Sequence, residues 1–464
     1  MVAARRLTPG HRARGHRSRR DARVRVAAGS ALVLSLVLVT YWWVTGRGVQ
    51  DLSGWESGLD SIGRLTGLWS ADLLLAQVLL MARLPILEGA FGQDRLAHIH
   101  RLVGFTSFNL ILCHLVLIVW GYAGGRIAEA PTTLWDMTIH DPGMLLAAAG
   151  TACLVMVVVT SVKSARSRLR YESWHLLHLY GYVGAGLALP HQLWTGQEML
   201  VSTAATIYWW SAWAITALAV AVWRVVLPLR RNLQHSMSVK SVVEEEGGVV
   251  SVVLGGWRLD RLRVESGQFF VWRFWDGPGR SRGNPYSLSA APDGRTLRIT
   301  AREVGEQSAR LRHLAPGTRV IFEGPYGRLG ERTRTRNRIA FIGAGVGVTP
   351  LRSLAESMDY RPGDAVLLQR YRSHPLMVDE LLTLQRDRGL DLLWLPGVRR
   401  SADSWLGHHV DGADDREALD YWVPDIAERD VFLCGPPEWT NHVVSTLRQL
   451  GLGTKYIHIE HFAW

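Results

Sequence analysis

Four histidines stand out because they fall inside apolar stretches of the chain, where an ionisable side chain is unusual. His100 and His114 open and close the segment HRLVGFTSFNLILCH, and His178 and His191 lie in WHLLHLYGYVGAGLALPHQL. On a helix, the fourteen-residue step between the first two histidines spans about 21 Å, and the thirteen-residue step between the second two spans about 20 Å. Two helices would therefore offer two histidines each at matching depths.

These histidine pairs have the chemistry of a haem site. Neutral imidazole is a strong axial ligand of haem iron, so four histidines at two depths predict two stacked haems. The alternative is that they are buried polar residues whose hydrogen bonds are satisfied by neighbouring helices; we favour haem because the depths match in pairs. One geometric requirement follows. Thirteen residues turn a straight helix by about 220°, so Pro190 and the glycines before it are expected to kink or rewind the helix.

The histidines need membrane helices to hold them, and the first half of the chain supplies six apolar windows of spanning length. The second window is the weakest, because Asp72, Gln77 and Arg83 interrupt it. The six windows are Ala27–Thr45, Leu68–Leu87, Leu102–Tyr122, Met144–Val162, His175–Leu193 and Val201–Pro228.

Basic residues predict how these spans are oriented. The tail from Met1 to Arg25 carries nine arginines and runs directly into the first apolar window. Such a tail could bind nucleic acid, but the positive-inside rule favours a cytoplasmic anchor. The arginine-rich connections after the second, fourth and sixth windows fall on the same side. We therefore expect a multi-pass protein of the cell membrane, with a cytoplasmic tail (1–26), a membrane domain (27–228) and everything beyond it in the cytoplasm.

The second half of the chain has the pattern of soluble domains. Short alternating segments separated by turn residues predict an antiparallel barrel over 234–330. Alternating strands and helices over 335–464 predict a parallel sheet. The segment RIAFIGAGVGVTPLRSLAESM has glycines between a strand and a helix, where the backbone could approach a phosphate. A plain strand-to-helix turn explains the same glycines.

Six short motifs occur in order in this half: NPYSLSAAP, GEQS, EGPYG, GAGVGVTP, CGPP and HIEHFAW. In this order they resemble the ferredoxin–NADP reductase superfamily. Together with the six spans and the paired histidines, the chain resembles the ferric reductase and NADPH oxidase family of transmembrane flavocytochromes b. The resemblance implies a membrane all-α six-helix bundle, an antiparallel β-barrel FAD domain and an α/β Rossmann-like nucleotide domain.

The resemblance also implies roles for matching residues. Tyr286 would lie against the flavin ring, Ser287 would hydrogen-bond near its reactive nitrogen, and Gly305 and Ser308 would approach the FAD pyrophosphate. The residues implied to bind and position the nicotinamide nucleotide are Gly343, Gly345, Gly347, Thr349, Cys434 and Gly435. The residues implied to act at the chain terminus are the acid Glu460 and the aromatic Phe462, with Trp464 as a competing candidate for the stack on the flavin.

Two positions leave the cofactor contacts open. Asn284 stands where the superfamily has a basic residue two positions before the tyrosine, so Arg282 or Arg302 would have to neutralise the FAD pyrophosphate; a solvated loop arginine explains Arg282 equally well. The residues that follow the second strand of the nucleotide domain favour NADPH over NADH, because they could hold a 2′-phosphate. These residues are Arg370, Arg372 and Ser373.

The implied function is electron transfer from cytoplasmic NAD(P)H through FAD and two b-type haems to an acceptor on the other side of the membrane. Ferric iron is the expected acceptor. Oxygen, giving superoxide, is the main alternative, and a quinone or a partner protein is a third. A non-catalytic nucleotide-binding membrane sensor is an alternative from another class. No nucleic-acid partner is expected.

Overall fold

The computed structural model describes residues 9–461, apart from 170, 200–201, 278–281 and 411. Its first half is helical. The helices are α1 (Pro9–Thr45), α2 (Trp55–Met81), α3 (Pro85–Phe91), α4 (Gln93–Tyr122), α5 (Ala130–His140), α6 (Met144–Ser161), α7 (Lys163–Arg166), α8 (Tyr171–Trp194), α9 (Thr203–Val220) and α10 (Leu227–His235), with a π-helical segment at Ala221–Val226 between the last two.

Five helices in the described part of the chain are long and apolar enough to cross a membrane. They are Arg19–Thr45, Trp55–Met81, Gln93–Tyr122, Met144–Ser161 and Thr203–His235. Five of the six predicted spans therefore coincide with helices of this kind. The remaining predicted span coincides with helix α8, which is not among the five.

The predicted bounds of the second span were wrong. Helix α2 starts at Trp55 rather than near Leu68, and ends at Met81, before Arg83 adopts a left-handed backbone (φ 64°) ahead of Pro85. The early start includes Arg64, which a hydropathy pattern counts against a span. Three carboxylates lie within 3.2 Å of its guanidinium and offset that charge: Asp51 (2.5 Å), Glu198 (2.5 Å) and Asp60 (3.2 Å).

The first soluble region is built from antiparallel strands, as predicted. The strands are β1 (Ser238–Glu245), β2 (Val249–Gly255), β3 (Phe269–Phe274), β4 (Asn284–Ser287), β5 (Thr296–Arg302) and β6 (Val320–Tyr326), with the short helix α11 (Glu306–Ala309) before β6. They form two three-stranded sheets, ordered β1-β2-β5 and β4-β3-β6. Single bridges join the sheets, Leu288 to Ile299 and Ser238 to Arg319. Phe270, Trp272 and Phe322 are fully buried in the shared core.

The second soluble region is a parallel sheet with helices, also as predicted. Its elements are β7 (Ile339–Ala344), α12 (Val348–Ser357), β8 (Ala365–Arg370), α13 (Val378–Arg388), β9 (Asp391–Leu395), α14 (Asp415–Trp422), β10 (Asp430–Gly435), α15 (Pro437–Gln449) and β11 (Ile457–His461). The five strands are parallel in the order β11-β10-β7-β8-β9. Every residue of β8 and β10 is buried, as expected of central strands covered on both faces.

The chain divides into two compact units. One, the membrane unit, comprises Arg23–Leu87 and Gln93–Val226; the other, the soluble unit, comprises the described residues up to Ala22, Glu88–Gly92 and the described residues from Leu227 onward. Within the soluble unit, Asn232 of α10 caps the backbone of β6. Its side-chain oxygen accepts from the Phe322 N–H (2.9 Å), and its amide donates to the Phe322 carbonyl (2.7 Å).

Candidate functional site

His100 and His178 lie side by side in the membrane unit. Their ring centroids are 5.9 Å apart, at an interplanar angle of 65°. The Nδ1 atom of His100 lies 3.1 Å from the carbonyl oxygen of Gln77, and the Nδ1 atom of His178 lies 3.2 Å from the hydroxyl of Ser161. The two rings are therefore close neighbours, and the Nδ1 atom of each is engaged by a neighbouring helix, α2 for His100 and α6 for His178.

His114 and His191 are the second predicted pair. The Nδ1 atom of His114 lies 2.8 Å from the carbonyl oxygen of Gly63. His191 lies within electrostatic range of His114, and its own Nδ1 is buried without a hydrogen-bond partner of good geometry in the described structure. Helix α8 continues through Pro190 to Trp194 and carries both His178 and His191. The helix is therefore not broken between them, and the proline lies inside it, where it removes one backbone hydrogen bond.

The donor set suits a group with two axial ligands better than a bare ion. Among the described residues, no group of three or more His, Cys, Asp or Glu side chains could hold a metal ion. A haem needs only two protein ligands on its iron, because the porphyrin supplies the other four. The paired imidazoles are consistent with that need.

Helix α2 also carries a carboxylate that the sequence pattern marked only as an interruption. Asp72 is 5% exposed. It accepts hydrogen bonds from Ser35 of α1 (2.6 Å) and from Tyr208 of α9 (2.6 Å), and Ser35 and Tyr208 are themselves 2.5 Å apart. In an apolar medium an unpaired carboxylate is costly. These two hydroxyls explain how α2 tolerates one.

The predicted flavin and nicotinamide residues meet in the soluble unit. Gly343 of β7, Cys434 of β10 and Glu460 of β11 stand in one row across the carboxyl ends of the sheet. The Cys434 thiol donates a hydrogen bond to the Glu460 carbonyl (3.4 Å). Burial raises the pKa of the Cys434 thiol well above its usual range. A Cβ added at Gly327, which follows β6, would lie 3.8 Å from a Glu460 carboxylate oxygen.

The β-domain side of this row is formed by β3 and β4. Ser287 is buried and pairs with Phe269, whose ring would be 3.2 Å from a Cβ added at Gly327. Tyr286 pairs with Phe270, and burial raises the pKa of its phenol to about 12. The phenol is therefore neutral at physiological pH. Ser287, Phe269 and Tyr326 therefore stand in one row across β4, β3 and β6, and Gly327 follows Tyr326.

The glycine loop after β7 approaches the end of β10 closely. A Cβ at Gly347 would be 2.3 Å from the Cys434 carbonyl oxygen, and one at Gly435 would be 2.7 Å from the Trp439 ring. Gly345 has a φ of +54° with open space where a Cβ would lie. Thr349 is buried, and its hydroxyl donates to the Val346 carbonyl (2.9 Å). In this structure the Thr349 hydroxyl stabilises the loop, and the open side of the loop is at Gly345.

The predicted pyrophosphate residues lie at a second turn. The Ser308 hydroxyl accepts from the N–H groups of Val304 (2.9 Å) and Gly305 (3.1 Å), so it shapes the turn that leads into α11. Arg282 lies 3.4 Å from the Glu306 carboxylate on that helix. Arg302 is exposed at the end of β5, and Asn284 pairs with Trp272 at the start of β4. The structure brings Arg282 to the GEQS turn and leaves Arg302 at a strand end.

The three residues predicted to hold a 2′-phosphate differ in burial: one is buried and two are exposed. Arg370 is buried, and its guanidinium donates to the carbonyls of Tyr371 (2.5 Å) and Leu395 (3.2 Å). Burial, together with the nearby charges of Arg372 and Arg399, holds its pKa below the usual value. Arg372 and Ser373 are exposed. Arg370 is therefore a structural arginine, and Arg372 is the one facing solvent.

Four charged side chains hold the β-domain and the nucleotide domain together. Arg298 of β5 makes two contacts with Glu380 of α13 (2.7 and 2.8 Å). Arg352 of α12 contacts the same carboxylate (2.7 Å) and Glu356 (2.5 Å), which accepts from the Ala291 N–H (2.6 Å). Burial works to raise the pKa of Glu380, but the two arginines outweigh it and hold that pKa below its usual value. Phe462 and Trp464 lie outside the described residues.

The sequence did not reveal the polar groups that contact the histidines or join the helices around them. These are the carbonyls of Gly63 and Gln77, the hydroxyls of Ser70, Ser107 and Ser161, and the Asp72, Ser35 and Tyr208 cluster. Backbone carbonyls leave no trace in the side-chain pattern. The available signal was the interruption of the second apolar window by Asp72 and Gln77, since polar residues inside a membrane helix usually have a partner.

Two regions of the chain are similar to known proteins. Residues 66–189 match the family model described as the ferric reductase like transmembrane component; His100, His114 and His178 fall inside the match, and His191 lies two positions beyond it. The chain is 30% identical over 205 residues to ferredoxin–NADP reductase B of Sorangium cellulosum, covering 40% of this chain and 80% of that protein.

Two further relatives are similar over comparable lengths. One is the stachydrine N-demethylase reductase protein Stc4 of Rhizobium meliloti, 30% identical over 43% of this chain and 58% of its own length. The other is a superoxide-generating NADPH oxidase heavy chain of Dictyostelium discoideum, 23% identical over 48% of this chain and 44% of its own length. The chain therefore spans only about half of these two relatives.

Proposed function

Because the chain belongs to the family that joins a ferric reductase-like transmembrane component to ferredoxin–NADP reductase-type FAD and NAD(P) domains, we propose that it moves electrons from NAD(P)H across the membrane to a ferric acceptor. It is an NAD(P)H-dependent oxidoreductase with several membrane helices. We further propose that the tail and the soluble unit face the cytoplasm, as the arginine distribution indicates.

The observation that carries this proposal is the pairing of the membrane histidines. His100 and His178 have their rings 5.9 Å apart, and His114 and His191 are within electrostatic range of each other. These four imidazoles would hold two b-type haems. A non-catalytic sensor would have no need of histidine pairs at two depths, and absence of haem and flavin absorbance from the purified protein would favour it.

In the soluble unit, the residues around the carboxyl ends of β7, β10 and β11 would bind FAD and NAD(P)H. Together with the haems, these cofactors would supply hydride acceptance and one-electron transfer. Ser287 and Tyr286 would orient the flavin ring, and Cys434 and Gly435 would border the nicotinamide. Burial keeps the Cys434 thiol protonated by raising its pKa. Arg282 is the better candidate for the pyrophosphate, since it lies beside Glu306 at the GEQS turn.

The terminal acceptor is tested directly by NADPH oxidation in membranes containing the protein. Turnover that depends on a ferric chelate without oxygen supports the ferric reductase. Dye reduction in air that is sensitive to superoxide dismutase supports the superoxide-producing oxidase instead, the activity named for the Dictyostelium relative. Turnover with neither acceptor, but with a soluble quinone, contradicts both.

Preference for NADPH would rest on Arg372, because Arg370 is occupied by backbone carbonyls. Removing a charge-assisted contact to the 2′-phosphate costs about 1.5–3 kcal/mol. We therefore expect Arg372→Ala to reduce kcat/KM for NADPH by roughly 10- to 150-fold and to leave that for NADH nearly unchanged. An equal loss with both nucleotides, or no loss with either, contradicts this assignment. Arg386→Ala, an exposed arginine on α13, is the matched control.

A further inference from the structure

Helices α2 and α4 contact each other through three polar levels with a regular spacing. His114 lies 2.8 Å from the Gly63 carbonyl and His100 lies 3.1 Å from the Gln77 carbonyl. Midway between them, the Ser70 hydroxyl donates to the Ser107 carbonyl (2.8 Å), and the Ser107 hydroxyl donates to the Ser70 carbonyl (2.9 Å). Each level is seven residues from the next on both helices.

A seven-residue repeat returns to the same face of a helix after two turns when two helices pack side by side. The two helices are antiparallel, because the residue number rises on one as it falls on the other. The three levels therefore define a single register of α2 against α4. A slip by one residue would remove all three levels at once, because every partner would rotate by about 100°.

We propose that α2 is the positioning helix for the two histidines of α4, fixing both the tautomer and the orientation of each ring. The inference rests on the proposed haem function. A carbonyl oxygen can only accept a hydrogen bond, so each contact requires that Nδ1 carry the proton. The unprotonated Nε2 of both rings is then the nitrogen available to iron.

The fit is tight where α2 meets the outer histidine of α4. A Cβ added at Gly67 would lie 2.5 Å from His114 Nδ1 and 2.8 Å from its Cε1, and a Cβ at Gly63 would lie 2.9 Å from Ile118. Neither ring atom is the end of a flexible chain. Gly67 is therefore required by the approach of His114, and any larger side chain must displace that ring.

The Ser70–Ser107 pair holds this approach from midway between the two histidine levels. Both serines are 3% exposed. Each hydroxyl is bonded to the opposite helix instead of its own, so the pair gives two interhelical hydrogen bonds at one level. Without both hydroxyls, only apolar packing would hold α2 and α4 in register at this level.

The test is Gly67→Ala in the full-length protein, with Gly29→Ala as the control, because nothing lies within 4 Å of a Cβ at Gly29. The readouts are haem content per flavin and a spectroscopic redox titration of the haems. We expect Gly67→Ala to weaken or shift one of the two haems and leave the other unchanged, with a loss of affinity of about 10–100-fold, as for other groups that orient a metal-bound histidine. Gly29→Ala should match the wild type.

A second variant keeps the proposal testable if Gly67→Ala does not fold. Ser70→Ala with Ser107→Ala adds no volume and removes both interhelical bonds, so we expect it to retain haem and to shift both midpoint potentials. Two haems with an unchanged titration in both variants would overturn the positioning role of α2. A wild-type protein that binds no haem would instead overturn the proposed function, and the two failures are thereby distinguished.

Discussion

The two helices that carry the paired histidines are held in different ways. Helix α4 is hydrogen-bonded to α2 at three levels, and two of them engage the histidines through backbone carbonyls. Helix α8 packs on α6 through glycines: a Cβ at Gly150 would lie 2.8 Å from the Gly184 carbonyl oxygen, and one at Gly184 would lie 2.9 Å from the Gly150 carbonyl oxygen. Both contacts are close, but α4 has hydrogen bonds to α2 at three levels, whereas α8 combines backbone packing on α6 with the single Ser161–His178 contact.

This difference matters for the rings themselves. The carbonyls permit only one tautomer of His100 and His114. The Ser161 hydroxyl at His178 can donate or accept, and His191 Nδ1 has no partner of good geometry within the described residues. The α4 histidines are therefore each held by a carbonyl that can only accept a hydrogen bond, whereas the α8 histidines have less restrictive contacts, the Ser161 hydroxyl at His178 and the Ala188 backbone at His191.

The largest effect is expected from removing the fixed ligand. His114→Ala should lower haem content towards one per chain while NADPH still reduces the flavin, because the soluble unit is untouched. His191→Ala should keep more of the second haem than His114→Ala does, since His114 still presents its Nε2. Haem-to-flavin ratios of the two purified variants measure the difference. Equal losses, or a greater loss from His191→Ala, would contradict the contrast between the helices.

A smaller effect is expected from separating α8 from α6. Gly184→Leu places a side chain against the Gly150 carbonyl, and overpacking of this kind costs about 1–3 kcal/mol. Because both α8 histidines move with their helix, we expect a lower unfolding temperature and partial loss of both haems. Gly186→Leu is the control, since Gly186 is exposed and nothing lies within 4 Å of its Cβ position. Loss of a single haem in Gly184→Leu would argue against α8 moving as a unit.

The smallest effect is expected at the adjustable ring. Ser161→Ala removes the hydrogen bond between the α6 hydroxyl and His178 Nδ1. A neutral hydrogen bond contributes about 1 kcal/mol, so haem affinity should fall roughly fivefold. A redox titration should show a smaller shift than Gly67→Ala. A shift as large as that of Gly67→Ala would mean that α8 is as firmly positioned as α4.

Much of this arrangement could be predicted from the sequence. The fourteen-residue step between His100 and His114 indicated two depths, and the ordered motifs indicated the soluble fold, because periodicity and turn residues are local properties. The start of α2 could not be predicted, since the charge of Arg64 is offset by three carboxylates that a hydropathy pattern does not register. These are Asp51, Asp60 and Glu198. The register of α2 against α4 could not be predicted either, because it depends on backbone carbonyls, which every residue has.

The Asp72 cluster gives α2 a second set of attachments on a different side from α4. Ser35 of α1 and Tyr208 of α9 hold Asp72 within the same stretch of helix in which Ser70 is bonded to Ser107. A helix anchored in two directions cannot rotate about its axis without breaking bonds on both sides. Rotation of α2 would consequently cost hydrogen bonds to three helices at once, namely α1, α9 and α4.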